Sequence, residues 1–223
     1  MGSGEFIDSL GIDEFADFNR ILVPAIGGIS NIIFEIKTKS KKVEHLLDLD
    51  HQGRVVVSWS LNSEAMVEAE EPDTDSLIER IEAAALCRNA GYRIGFHFDP
   101  LIHYDGWESG YERVVELVFR HFGPGDIAWI SLGALRFKRE LKTIIREKFP
   151  SSRLIYGELI PGLDSKLRYF LPIRRRMFSR MIQYIRARDD QVPVYLCMED
   201  KELAQEVGAI AGFSDKHLSK RRL

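Results

Sequence analysis

The sequence predicts an α/β fold built on a parallel sheet, and three observations predict it. Short β-branched or aromatic runs alternate with segments whose apolar residues recur at helix spacing. Gly and Pro punctuate the junctions, as at Gly27-Gly28, Gly91, Gly123-Pro124-Gly125 and Pro172. Strands separated by helices pair in parallel through right-handed crossovers. Such units close toward a barrel or stay open and doubly wound, and in both cases ligands bind beyond the carboxyl ends of the strands.

The elements follow in order. Residues 12–23 read as a helix, with Phe15, Phe18 and Leu22 at helix spacing. Asn31–Lys37 is a strand, Val43–Leu49 a short helix, and Arg54–Ser60 a second strand. Six acidic side chains between Glu64 and Asp75 make a solvated loop. In the next helix Ser76 and Glu79 form a capping box, Leu77, Ile81, Ala84 and Ala85 mark an apolar face, and Gly91 stands just past the end. Tyr92–Phe98 is the third strand and breaks at Pro100. A helix follows with Val114, Val115, Val118, Phe119 and Phe122 on its apolar face. Ile127–Leu132 is the fourth strand, and Phe137, Leu141, Ile144, Ile145 and Phe149 mark another helix. A fifth strand is expected near Arg153–Tyr156, then a long loop over Gly157–Leu171. Pro172 starts a helix whose apolar face is Ile173, Met177, Met181 and Ile185. Val194–Cys197 is the sixth strand, and a last helix covers Lys201–Ile210.

Composition bounds the function. The chain has 223 residues, 45% hydrophobic and 29% charged, which fits one domain over residues 1–215 with a basic tail at 216–223. No apolar run reaches membrane-spanning length and the start is no signal peptide, so the expected location is the cytoplasm. The net charge of −3 gives no whole-molecule case for nucleic acid; such a site has to be a local basic patch. Cys87 and Cys197 are distant in sequence, sit in apolar contexts and read as buried free thiols. No CxxC spacing is present.

The carboxyl ends of the expected strands carry Lys39, Ser60, Asn62, His97, Asp99, Gly133, Arg136, Glu158 and Met198, a polar set on one side of a sheet. The stretch GYRIGFHFDPLIHYDGWESGY at 91–111 is the richest. His97 and Asp99 are two apart and share one face of a strand. With His103 they make a candidate two-histidine, one-carboxylate metal site for a hydrolase, weighed against simple hydrogen bonding to a ligand or to neighbouring loops. Tyr104 and Trp107 read as cover for the sheet end. Lys166, Arg168 and Tyr169 lie in the loop before Arg174, Arg175, Arg176 and Arg180. Positive charge at a helix start is unfavourable for the helix dipole, and with an adjacent aromatic it suits phosphate or nucleic acid. The basic region Lys166–Arg188 is accordingly a candidate nucleic-acid-binding module without catalysis.

Five blocks carry a family likeness: GSGEFIDSL at 2–10, EIKTKS at 35–40, LLDLDHQGRVVVSWSLN at 46–62, RIEAAALCRNAGYRIGFHFDPLIHYDGWESGY at 80–111 and KLRYF at 166–170. The chain resembles the spore photoproduct lyase family of radical S-adenosylmethionine (AdoMet) proteins. The resemblance implies a parallel-stranded partial (β/α) barrel. It implies AdoMet cleaved by a 4Fe–4S cluster to give a 5′-deoxyadenosyl radical, and a cross-linked thymine pair in DNA as the lyase's substrate. By the same likeness Gly4 and Glu5 lie by the methionyl amino group, and Lys39 and Ser60 reach the carboxylate or ribose. His97 and Asp99 face the cofactor or substrate, and Asn62, from its strand end, the cofactor. His103, Tyr104, Arg136, Lys166, Arg168, Tyr169 and Arg175 face a DNA or nucleotide substrate. No catalytic residue and no protein metal ligand is assigned.

The sequence departs from the family pattern twice. The family's CxxxCxxC cluster loop precedes the block matching GSGE, and neither cysteine here replaces it. The resemblance therefore implies an N-terminally truncated barrel, unable by itself to bind the cluster and inactive alone. The lyase's hydrogen-donating cysteine falls near the segment matching Glu5–Asp8, which has none here, and this leaves another substrate open. A barrel lacking its first strands exposes the edge of Asn31–Lys37 and predicts dimerisation through it.

Overall fold

The computed structural model describes residues 8–11 and 13–210. Gly4, Glu5 and the expected tail at 216–223 lie outside the described residues. Five strands form one parallel sheet in the order β1-β2-β3-β4-β8: β1 (Phe34–Thr38), β2 (Val55–Ser60), β3 (Arg93–Leu101), β4 (Ile127–Ala134) and β8 (Val194–Leu196). Strand alternation sends Phe34, Ile36, Val55, Val57, Ile94, Phe96, Phe98, Ile130 and Leu132 to one side. There they meet α2 (Phe18–Gly27), α4 (Leu77–Asn89), α5 (Trp107–His121) and α7 (Leu171–Arg186) in a single core.

The capping box at Ser76 and Glu79 is formed, and Gly91 takes φ 89° after α4. α5 buries Val114, Val115 and Val118, and α7 buries Met177, Met181 and Ile185, as their spacing requires. No helix among the described residues is long and apolar enough to cross a membrane.

Several expectations are corrected. The helix over 12–23 breaks at Asp17 (φ 50°) into α1 (Asp13–Ala16) and α2, because the Asp13 carboxylate accepts from the N–H groups of Phe18 and Asn19. Its buried side is Asn19, Val23 and Ile26, while Phe15 is 88% and Phe18 58% exposed. The acidic stretch after β2 contains a helix, α3 (Glu64–Glu70). The strand expected near Arg153–Tyr156 is a single 3-10 turn, Leu154–Tyr156. Glu158 therefore ends no strand, and the parallel sheet has five strands. The expected loop over 157–171 contains β6 (Leu159–Pro161) and β7 (Lys166–Tyr169), which join β5 (Arg136–Lys138) in a small antiparallel sheet. Phe137 belongs to β5, and the helix after it, α6 (Leu141–Lys148), buries no residue. β3 runs past Pro100 to Leu101, with its register to β4 shifted between Phe98 and Leu101. The chain's last described helix is α8 (Lys201–Glu206).

Candidate functional site

The second face of the parallel sheet differs in kind from the first. Its apolar floor is small, Val56 and Trp129 with Ile33, Ala128 and Tyr195 against them, and contains no helix residue. The remaining positions are polar and lie in rows set by the strand register. Lys37, Ser58 and Gly95 form one row, and Ser60, His97, Ser131 and Tyr195 the next. Asp99, Gly133 and Cys197 follow at the carboxyl ends. Parallel sheets are ordinarily apolar on both faces. A polar face on such a sheet is the arrangement of a binding surface.

Glu35 organises the middle of this face. Its carboxylate takes a 2.6 Å hydrogen bond from His97 Nε2 and a 2.7 Å bond from the Ser58 hydroxyl. Burial acts to raise the Glu35 carboxyl. The His97 bond and charge, with Ser58 and Lys37, outweigh it and hold the group below its ordinary range.

Asp99 and Arg136 close the carboxyl end. Two guanidinium nitrogens meet the two Asp99 oxygens at 2.9 and 3.1 Å, and one also lies 3.4 Å from Cys197 Sγ. Burial works against the ionised Asp99, but Arg136 prevails and lowers its pKa. Burial and the Asp99 charge push the Cys197 thiol up to about 11, so it is protonated and no nucleophile at neutral pH. Gly133 makes room for the pair: a Cβ there would stand 2.5 Å from the Asp99 carboxyl carbon.

Lys39 extends from the end of β1 to Glu71 at 2.9 Å. Glu71 also holds Arg80, a fully buried arginine that donates to the carbonyls of Ser60 and Asp75 and to the Thr74 hydroxyl. This clamp fixes the loop before α4 against the strand end that carries Ser60. On the other side of Lys39, Asp8 accepts from the Thr38 hydroxyl and the Lys39 N–H, both at 2.7 Å.

The other expected residues separate into groups. Asn62 does not face this surface freely: its carboxamide accepts from the Tyr111 hydroxyl at 2.6 Å and donates to the Pro100 carbonyl, tying β2 to β3 and α5. Tyr104 lies on the helix side, donating to the Ser63 hydroxyl over Gly110. The His103 N–H donates to the buried Tyr169 hydroxyl, and the exposed His103 ring lies between Trp107 and Tyr169. Lys166 and Arg168 share one face of β7, with Arg168 paired to Asp164. Met198 adopts φ 59° just past Cys197.

Two candidate constellations dissolve. His97 is held by Glu35, Asp99 by Arg136, and His103 lies beyond the strand. Among the described residues no three His, Cys, Asp or Glu side chains converge on a metal position. Arg174, Arg175, Arg176 and Arg180 of α7, and Arg188 just beyond it, are not a free basic cluster. Arg174 pairs with Glu199, Arg175 with Glu206, Arg176 and Arg180 with Glu108, and Arg188 with Glu116. Those carboxylates come from other segments, which the local sequence does not reveal. Glu35, Ser131, Tyr195, Glu71 and Arg80 join the site without a motif of their own. Alternation from His97 and Ser60 was the available signal for the first three.

Fold and face together define an α/β protein whose candidate ligand surface is the side of a parallel sheet on which no described helix joins the apolar floor, with its polar residues richest at the strand carboxyl ends. Comparison with known proteins gives the family. The family described as "Spore photoproduct lyase" matches residues 5–159. The chain belongs to the spore photoproduct lyase family. It is 30% identical over 153 residues to the spore photoproduct lyase of Geobacillus sp. and 31% over 154 residues to that of Bacillus subtilis. It spans 45% of the length of each of these curated relatives. A solved spore photoproduct lyase complexed with dinucleoside spore photoproduct superposes with TM-score 0.80 at 26% identity, over 88% of this chain and 60% of that one. A double mutant of that lyase with bound AdoMet and dinucleoside spore photoproduct gives TM-score 0.78 at 26% identity, over 87% of this chain and 59% of that one.

Proposed function

We propose that this chain supplies the AdoMet-facing and substrate-facing surface of a spore photoproduct lyase-type radical AdoMet protein acting on a DNA or nucleotide lesion. The observation that carries this reading is the polar face at the strand carboxyl ends, where Ser60 and His97 share a register row below Asp99. The donor set suits AdoMet chemically. The Lys39 ammonium matches the methionyl carboxylate, the Ser60 hydroxyl a carboxylate or ribose oxygen, and His97 and Asp99 the ribose and base edges. Asp8 ties the chain beside Lys39; the role of Gly4 and Glu5 at the methionyl group rests on the family likeness alone.

The chain contains two cysteines, too few for a CxxxCxxC ligand set, so its residues do not fit the family's 4Fe–4S cluster. AdoMet supplies radical chemistry when such a cluster reduces it, and the chain alone is catalytically silent. What its own residues do is bind and orient. Lys39 exchanges Glu71 for the ligand carboxylate. Arg80 holds the Ser60 end of β2 in place. Arg136, Lys166 and Arg168 meet substrate phosphates or bases, and the exposed ring of His103 borders that side; Arg175 does so only by exchanging Glu206 for the substrate.

Titration calorimetry with AdoMet on the chain and on Lys39→Ala and Ser60→Ala tests the reading. Each variant is expected to bind about tenfold more weakly, the loss of one charge-assisted or neutral hydrogen bond. Unchanged affinity in both would refute the cofactor assignment.

A further inference from the structure

Lys39 is held in two different ways. Its main chain is fixed. The Asp8 carboxylate accepts from the Lys39 N–H at 2.7 Å, the Trp59 indole donates to the Ser40 carbonyl at 2.9 Å, and the Asp75 carboxylate accepts from the Lys41 N–H at 2.7 Å. Its ammonium has a single carboxylate partner among the described residues, Glu71 at 2.9 Å. The tip of the side chain can therefore change partner while the strand end that carries it stays in place.

Glu71 is held in the complementary way. One of its carboxylate oxygens meets Lys39 and the other meets Arg80 at 2.8 Å. Burial acts to raise the Glu71 carboxyl; the charges and bonds of Lys39 and then Arg80 outweigh it and hold the group below its ordinary range. A buried carboxylate left without a cation is costly. Arg80 stays with Glu71 whatever Lys39 does, because its guanidinium is anchored by the Ser60 and Asp75 carbonyls and the Thr74 hydroxyl. The Lys39 side chain is 32% exposed and that of Arg80 0%, so solvent screens the lysine contact and not the arginine contact. A cavity of about 470 Å³, lined in part by Thr74, Ile145 and Phe149, borders both Lys39 and Glu71 and gives the pair room to separate.

We propose that Glu71 is a built-in competitor for the carboxylate of the ligand. It occupies the Lys39 ammonium in the empty site and passes wholly to Arg80 when the methionyl carboxylate of AdoMet arrives. This rests on the assignment of Lys39 to that carboxylate made above. The affinity of the site is then the difference between two Lys39 ion pairs, and Glu71 sets it without touching the ligand. A ligand that carries no carboxylate leaves the pair closed.

The test is titration calorimetry with AdoMet and with 5′-methylthioadenosine, which lacks the methionyl carboxylate, on the parent, Glu71→Gln, Lys39→Ala and the double variant. Glutamine keeps an acceptor for Arg80 and removes the charge from Lys39. Glu71→Gln is expected to bind AdoMet about fivefold more tightly, the release of one partly exposed ion pair, and to raise the ratio of AdoMet to methylthioadenosine affinity by the same factor. A residue that only braced the fold would weaken binding when changed. The gain is expected to vanish once Lys39→Ala is added. In the unaltered chain the carbon-13 resonance of the Glu71 carboxylate is expected to shift as AdoMet saturates the site. Equal or weaker AdoMet binding by Glu71→Gln overturns the proposal, weaker binding being the mark of a direct contact between Glu71 and the ligand ammonium. A gain that persists without Lys39, a gain of equal size for methylthioadenosine, or a static Glu71 resonance also overturns it. Failure of the AdoMet reading is visible separately: the parent does not bind AdoMet, or Lys39→Ala binds it as well as the parent, and the proposal falls with that reading.

Discussion

Glu35 and His97 lie on strands that do not pair with each other, yet a 2.6 Å hydrogen bond joins them across β2, whose Ser58 donates to the same carboxylate oxygen. Three strands are thereby locked at one level of the polar face. Glu35→Gln removes the charge and is expected to cost about 2 kcal/mol at pH 7, read from urea unfolding. The folded Glu35 carboxyl lies below its ordinary value of 4.5, so its contribution is complete above that pH and is lost as pH falls through the folded value. The gap between parent and variant should therefore close in acid. A gap that widens on acidification contradicts the assignment.

Gly133 is expected to be intolerant of a methyl group. Gly133→Ala places a Cβ 2.5 Å from the Asp99 carboxyl carbon and must displace the Asp99–Arg136 pair. Overpacking of this kind costs about 1–3 kcal/mol. An unchanged melting temperature would mean that the pair does not sit over Gly133.

Arg80 is the buried cation on which the Ser60 strand end depends. Arg80→Met leaves two carbonyls without their donor and Glu71 with Lys39 alone, and should cost about 3 kcal/mol in urea unfolding. Arg80→Lys is expected to recover little, because a single ammonium does not reproduce the forked contacts. Full rescue by lysine would show that charge alone matters.

β1 is an edge strand of the parallel sheet, and the Ser9 N–H donates to the Lys37 carbonyl on it. Among the described residues nothing pairs with the outward backbone groups of Glu35, which are a template for pairing. Self-association through this edge is expected in light scattering at high concentration, and a proline at Glu35 should reduce it. A monomer at all concentrations contradicts this expectation.

The sequence made the parallel core legible because long apolar periods, caps and glycine stops agreed with one another. α4, α5 and α7 follow their spacing, and His97 and Asp99 share a face as their separation of two requires. The small sheet is not legible although Lys166-Leu167-Arg168-Tyr169 alternates strictly, because its strands are short and its pairing partner lies about thirty residues away. The turn at 154–156 reads as a strand because a short apolar run carries no decisive period. At the site, strand ends were legible, but charge partners were not. Glu199, Glu206 and Glu108 neutralise the α7 arginines from distant segments, whereas the α6 cations have no carboxylate partner among the described residues. Arg80 gave no local signal; only the fold shows that its side chain ends beneath Ser60.

The central claim is that AdoMet binds the helix-free face at the strand carboxyl ends. Amide and side-chain NMR shift mapping of the isotope-labelled chain during AdoMet titration tests it most directly. The account predicts saturable shifts at Lys39, Ser60, His97 and Asp99, with little change on the outer surface formed by Glu68, Arg113 and Arg120. Shifts confined to that outer surface, or none at millimolar AdoMet, would contradict it.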